Sequence, residues 1–346
     1  MPETVYRSRR AFQLENNHVR ITVLAEGGHI AELLHKESGV NPLWTPPWPS
    51  IEPSTYSPSQ HPEYGNDAES KLLSGLMGHN LCVDLFGSPS ADEAAAGLTV
   101  HGEASIVPYS ITSSKEELNA KAVMPIAQLA VERRIRLAPQ GSVMHVTETI
   151  ENLATLDRPS AWTQHVTLGP PFLERGETQF RVPATLSRTI GGLDFNWPHL
   201  PHEDKQTEDL QVYTCAEVSA GFSAHLLDPC REQAFFLAYS SKTKVLVGYI
   251  WKQSDFPWLG IWEENRSRGI APWNGKTMTR GMEFGASPFP EPRRRMIDRN
   301  KMFGVPCYRW IPAKSKVTVS YCAFITKAER IAEDVVWDGG DGVRLA

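Results

Sequence analysis

The sequence predicts an all-β fold built from antiparallel strands, and three observations predict it. Apolar residues recur with period two far more often than with helical spacing. The 25 Gly and 26 Pro punctuate short apolar runs, and both residue types end elements and make turns. At 41% hydrophobic and 22% charged over 346 residues, the chain is apolar enough to bury a large core. Length alone admits two domains, but large β-sandwiches exceed that mark as one unit. No repeat and no low-complexity linker divides the sequence, so residues 1–346 are read as one domain.

The elements follow in order. Val19, Ile21 and Val23 alternate with Arg20 and Thr22 in a half-buried strand that runs toward Gly28. Between Pro42 and Tyr64, seven prolines stand among Trp44, Trp48, Tyr56 and Tyr64, which predicts a long irregular loop. Ser90-x-x-Glu93 is a capping box ahead of Ala94–Ala96, with Gly97 as the stop, and predicts a short helix. From Leu129 to Leu137 the alternation returns, with Arg133 interrupting the apolar face of Leu129, Val131, Ile135 and Leu137. Val317, Val319, Tyr321, Ala323 and Ile325 form the last clear strand, and Thr326-x-x-Glu329 predicts a second helix reaching about Trp337.

Composition excludes several function classes. With 35 basic against 40 acidic side chains and a net charge of -5, the chain lacks the cationic surplus of a nucleic-acid clamp. No run of about 18 apolar residues is present to cross a bilayer, and the opening residues lack the apolar middle of a signal peptide, so the expected location is the cytoplasm. The five cysteines at 82, 215, 230, 307 and 322 form no C-x-x-C; they are expected to be reduced and mostly buried. Whether the chain self-associates is left open.

Three residues stand out chemically. His101 lies in Leu98-Thr-Val-His-Gly-Glu-Ala104, just past the first short helix. His165 lies in Ala161-Trp-Thr-Gln-His-Val-Thr-Leu-Gly-Pro-Pro-Phe172, toward the end of a strand. Glu283 lies among apolar residues and turn formers in Gly281-Met-Glu-Phe-Gly-Ala-Ser-Pro-Phe-Pro290, a setting that raises a carboxylate pKa. Alone, each reads as a structural side chain. His79, His101, His165 and Glu283 together offer three nitrogens and one oxygen to a metal, but no H-x-H, H-E-x-x-H or C-x-x-C spacing supports one.

Other segments fall in one order with these. Val19–Gly28 leads into His29-Ile-Ala-Glu-Leu-Leu, then Asn41-Pro-Leu-Trp44, His101-Gly102, and Glu151-Asn152 through His165 with Pro171-Phe172 behind it. Asp194-Phe195-Asn-Trp-Pro198, Leu227-Asp-Pro229 and Glu283 complete the series. In that order, from about Val19 to Ile325, the chain resembles the galactose mutarotase (aldose 1-epimerase) superfamily. The resemblance implies a β-supersandwich with a carbohydrate cleft on one face of a large sheet. By position, it implies Glu283 as the general base for an anomeric hydroxyl and His165 as the general acid for the ring oxygen. His101 would hydrogen-bond the sugar. A small-molecule sugar is then the partner, and no cofactor is required.

The departures from that pattern matter as well. Where the superfamily carries an arginine-asparagine segment, this chain reads Gly78-His-Asn-Leu-Cys-Val-Asp84, which makes His79 the candidate stand-in for the arginine. Asp209 is the nearest candidate for the sugar-binding aspartate. Arg133 must find an acceptor, either in a buried salt bridge or in the cleft. Trp162, Trp258, Trp262 and Trp273 are candidates for stacking on a sugar face. His165 and Glu283 are expected on opposite sides of one sugar-sized hollow. Two alternatives share the scaffold: a non-catalytic sugar-binding or sensing protein, and a sugar-phosphate epimerase using Arg293, Arg294 and Arg295 as donors.

Overall fold

A computed structural model describes residues 3–202, 206–214 and 216–346. Strands account for 47% of it and helices for 7%, as the period-two alternation predicts. From the N-terminus, β1 (Thr4–Tyr6), β2 (Arg9–Glu15), β3 (Val19–Leu24), β4 (Ile30–His35) and β5 (His79–Asp84) form one flank of a larger sheet. β6 (Ser110–Ser113), β7 (Glu117–Met124), β8 (Leu129–Leu137) and β9 (Val143–Asn152) are successive neighbours in a smaller sheet. β10 (Arg158–Leu168) returns to the larger sheet, β11 (Thr178–Arg181) to the smaller, and β12 (Ala184–Thr189) and β13 (Asp194–Asn196) close the far edge of the larger.

A two-stranded ribbon follows, β14 (His199–Pro201) with β15 (Thr207–Asp209), then β16 (Ser219–Leu227) in the larger sheet. β17 (Gln233–Ser240) and β18 (Val245–Lys252) are a hairpin of the smaller sheet; β19 (Trp258–Asn265) and β20 (Met278–Gly285) are one of the larger. β21 (Lys301–Met302) pairs with β22 (Val305–Pro306), and β23 (Arg309–Ile311) with the start of β10. β24 (Lys316–Lys327) is central in the smaller sheet, and β25 (Val335–Trp337) with β26 (Val343–Leu345) ends the chain.

The larger sheet runs β1-β2-β3-β4-β5-β10-β20-β19-β16-β12-β13, the smaller β11-β17-β18-β24-β9-β8-β7-β6, both antiparallel. One apolar core draws on both sheets, with Leu81, Trp162, Val166 and Phe284 from the larger and Val131, Tyr249 and Tyr321 from the smaller. The central strands β5, β10 and β20 are almost entirely buried along their length, with material covering both faces.

Local expectations fare unevenly. The Leu129–Leu137 strand matches β8 end for end. The Ser90 box caps α2 (Ala91–Ala95), which follows α1 (Ser70–Gly75), and both reciprocal hydrogen bonds are made. The proline-rich segment 42–64 holds only two single turns of 3-10 helix. The helix expected from Thr326 does not form. Thr326 belongs to β24, paired with Leu246, so the strand ladder claims the residue that the local motif assigned to a cap. The third helix is instead α3 (Arg293–Arg299). Cys82, Cys307 and Cys322 are buried and free and Cys230 is exposed and free; Cys215 lies outside the described residues. Among the described residues, no helix is long and apolar enough to cross a membrane.

Candidate active site

Strand register builds the site. β10 pairs with β20 on one side and β5 on the other, placing His165 opposite Glu283 and opposite Asn80. Because strand side chains alternate, Thr163, His165 and Thr167 point away from the core, while Trp162, Gln164 and Val166 point into it. Gly281 and Gly285 flank Glu283 on its own face of β20. A Cβ on Gly281 would lie 2.5 Å from Glu283 Oε1, so the carboxylate folds over the space that this glycine leaves.

From this row, His165 and Glu283 form the floor of a cleft of about 380 Å³, within the ~300–1,000 Å³ range of small-molecule sites. Its walls include Glu69, Leu72, Phe86, His101, Trp262, Arg268 and Trp273. His101 is brought there by a left-handed turn, with φ of +69° at His101 and +74° at Gly102. A side chain at 102 would place Cβ 2.2 Å from the Val83 carbonyl oxygen, so the His-Gly pair depends on the glycine.

The chemistry is close-packed. His165 Nε2 lies 3.0 Å from Glu283 Oε1. The contact lacks hydrogen-bond direction, and Oε1 is buried with no hydrogen-bond partner among the described residues. His165 Nδ1 lies 3.1 Å from Thr167 Oγ1. The His101 and His165 rings are 4.8 Å apart, and Trp262 stands 5.7 Å from His165. Burial pushes the Glu283 carboxyl well above its usual range. Burial, with His101 adding to it, pushes His165 well below. His101 is lowered to about 4 by burial and then by the Arg268 charge. The environment therefore opposes charge on all three.

Of the candidates read from sequence, His165, Glu283 and His101 meet in this cleft. The first two are side by side on adjacent strands, not on opposite walls, because antiparallel register makes them direct partners. His79 is not a cleft residue. Asn80 points outward, so its neighbour His79 points inward, with Nε2 3.0 Å from Gln164 Oε1. Trp162 also faces the interior and donates from Nε1 to Glu148 Oε2 at 3.1 Å. Arg133 is the buried salt bridge: Nε is 2.9 Å from Glu148 Oε1, and the guanidinium also donates to Gly28 O at 2.7 Å. Asp209 is on the exposed β14–β15 ribbon, where it caps the Gln211 amide at 2.9 Å. Arg293 is held by Asp84 and Glu93, and Arg294 by Asp298.

Three cleft residues escaped the sequence reading as ligands, Arg268, Glu69 and Phe222, and so did Asn80, which is buried behind His101. Arg268 stacks 4.4 Å over Trp273 and is held by Glu69 at 3.1 Å. Its signal was a basic residue in a Gly- and Pro-punctuated stretch, Arg266-Ser-Arg-Gly-Ile-Ala-Pro272. Asn80 stood beside His79, and period two sends only one of two neighbours outward. Among the described residues, no three His, Cys, Asp or Glu side chains are grouped as metal ligands.

Comparison with known proteins places this architecture. No family model and no curated protein matches the chain. A Klebsiella pneumoniae protein provisionally assigned as an aldose 1-epimerase superposes with a TM-score of 0.70 at 14% identity, over 93% of this chain and 80% of that one. A galactose mutarotase-like protein from Lactobacillus casei gives 0.60 at 15%, over 91% and 100%. One from Clostridium acetobutylicum gives 0.63 at 13%, over 94% and 98%. The sandwich, its strand content and these superpositions agree: this chain has the fold of the galactose mutarotase-like proteins.

Proposed function

We propose that the protein interconverts the anomers of an aldose by acid-base ring opening and closure. The observation that carries this reading is the cross-strand pair His165–Glu283, 3.0 Å apart on the floor of the cleft. An anomeric hydroxyl and a ring oxygen are bonded to one carbon, so the base for one and the acid for the other must stand side by side. Burial opposes charge on both groups, and the proposed reaction uses one proton on the pair. With that proton on His165, Glu283 is the base and His165 the acid.

Glu283 takes the hydrogen of the anomeric hydroxyl as the bond from that carbon to the ring oxygen breaks. The bond's electron pair goes to the ring oxygen, which takes the proton from His165. Rotation about the bond to the freed aldehyde carbon presents its other face, and closure with the roles exchanged gives the other anomer. Each positioned proton transfer is worth roughly a hundredfold to ten-thousandfold in rate. Trp262, edge-on to His165, supplies a flat apolar wall for the sugar ring.

Nothing favours the sugar-phosphate alternative: Arg293 and Arg294 are paired with carboxylates, and none of Arg293, Arg294 and Arg295 lines the cleft. Anomeric exchange measured by NMR or polarimetry over a panel of aldoses tests the proposal. Wild type is expected to accelerate at least one aldose and Glu283→Gln to abolish the effect. Tight saccharide binding without acceleration would leave the non-catalytic binder instead.

A further inference from the structure

We propose that Asn80 is a positioning residue that holds His101 as a neutral imidazole with its hydrogen on Nε2, the nitrogen left for the cleft. Only the kinetic consequence of this assignment rests on the epimerase reading above. The assignment itself follows from counting hydrogens. Asn80 Nδ2 lies 3.1 Å from Ser105 Oγ and 3.2 Å from His101 Nδ1. Ser105 Oγ lies 2.8 Å from the carbonyl oxygen of Leu81, which can only accept, so the single hydroxyl hydrogen points there. Toward Asn80 the hydroxyl must accept, and the amide atom facing it must be the NH₂ group. The second hydrogen of that nitrogen is directed at His101 Nδ1, which must therefore present a lone pair. Cys82 Sγ, at 3.8 Å from the same nitrogen, is a weaker acceptor than the imidazole nitrogen. In a neutral ring whose Nδ1 accepts, the hydrogen is on Nε2. Nε2 has no hydrogen-bond partner among the described residues, and the ring lines the cleft.

The arrangement is kept at a cost in two places. Asn80 Oδ1 is buried with no hydrogen-bond partner among the described residues, and a buried acceptor left unpaired is destabilising. Serine or threonine at 80 would avoid the orphan, but one hydroxyl hydrogen cannot serve both Ser105 and His101. His101 itself adopts a left-handed backbone conformation that residues with a side chain seldom take. Two unfavourable features thus converge on one imidazole, a concentration typical of functional sites. The chemistry explains the need. A neutral Nε2–H stabilises developing charge on the ring oxygen without offering a second acidic proton. An imidazolium at 101 would face the Arg268 charge and, 4.8 Å away, the proton-carrying form of His165.

The test uses protein labelled with ¹⁵N in its histidines, since long-range ¹H–¹⁵N correlations report which ring nitrogen is protonated. His101→Gln assigns the His101 signals by their loss. Wild type is expected to show the Nε2–H tautomer at pH 7. In Asn80→Asp the carboxylate accepts instead of donating, so a hydrogen on Nδ1 is expected, with kcat/KM lower by roughly a hundredfold, the loss of one preorganised donor. An Nδ1–H tautomer in wild type overturns the proposal, and so does an unchanged tautomer in folded Asn80→Asp. A switched tautomer with an unchanged rate overturns the kinetic role. If Asn80→Asp does not fold, the wild-type spectrum alone decides. A wild type that shows Nε2–H, switches in Asn80→Asp and accelerates no aldose upholds the positioning and sinks the epimerase reading.

Discussion

Gln164 and His165 are neighbours in the chain, yet they belong to two polar systems that sit on opposite faces of the same strand. On the interior face, Gln164 donates to Glu148, which pairs with Arg133 and accepts from Trp162, while Tyr321 donates to Gln164. Burial is the largest single effect on Arg133 and works against its charge, but Glu148 together with Tyr321 and Tyr109 outweighs it and holds the guanidinium ionised. On the cleft face, burial wins over His165 and Glu283, and Glu283 Oε1, Asn80 Oδ1 and Thr163 Oγ1 lack hydrogen-bond partners among the described residues. The two faces are comparably dry. They differ in that the interior charges are matched by opposite charges, whereas burial opposes charge on both members of the cleft pair, the pair to which the proposed acid-base chemistry is assigned.

The sharpest way to break this comparison is to neutralise one carboxylate on each face. Glu283→Gln is expected to lower anomeric exchange roughly a hundredfold to ten-thousandfold while leaving the protein as stable as wild type, or more so, at pH 8. The sign follows from linkage. A carboxyl whose folded pKa is raised loses its stabilising contribution as pH rises through that value, and glutamine removes the loss. Glu148→Gln should do the reverse, costing about 3–5 kcal/mol because Arg133 is left buried without its counter-charge. Chemical denaturation with anomeric exchange on the same samples reads both effects. Equal stability losses in the two variants would erase the distinction between the faces.

A smaller net effect is expected from removing both interior charges. Arg133→Met with Glu148→Leu should recover part of the stability lost in Glu148→Gln, since apolar replacements of a buried pair are often tolerated. Recovery stays incomplete because Trp162 and Gln164 lose their acceptor. If the double variant is no more stable than the single, the charge is not what makes Glu148→Gln costly.

What the sequence disclosed follows the same division. Alternation located β8 because one face of it meets polar surroundings, and it exposed Arg133 as the exception on the apolar side. In β5 and β10 both faces are buried, so hydropathy carries no sign of which neighbour faces the cleft. His79 and Trp162 were therefore assigned to the wrong side. The pairing of His165 with Glu283 is a register fact between strands 118 positions apart in sequence numbering, and no local pattern encodes it; only family resemblance brought the two together. Arg268 was hidden because a loop arginine has no periodicity to break.

Buried histidines give a graded test. His29 and His225 are fully buried and held down to about 3, by burial first and then by Arg9 and Arg280 respectively. Their folded pKa values lie below the unfolded value, so their contribution is present above about pH 6.5 and falls as the pH drops toward 3. Each is expected to cost about 1.4 kcal/mol per pH unit below 6.5. Urea midpoints at pH 8, 7, 6 and 5 should be flat at first and then decline, and His225→Gln should soften the slope. A flat series to pH 5 would show that these rings are not held neutral by the fold.

The smallest expected effect separates packing from recognition at a single tryptophan. Trp162 and Trp262 are both large aromatics on central strands of one sheet, but the first donates to Glu148 inside the core and the second stands edge-on to His165 in the lining of the cleft. Trp162→Phe keeps most of the apolar volume and removes a hydrogen bond to a charged acceptor, a change worth about 1.5 kcal/mol. KM should stay at the wild-type value, because nothing in the cleft moves. Trp262→Phe should leave stability nearly unchanged and raise KM, because the indole is replaced by a smaller ring on the wall a sugar would lean against. A raised KM in Trp162→Phe would mean that the interior network transmits its geometry through β10 to His165, and the two faces would then act as one device.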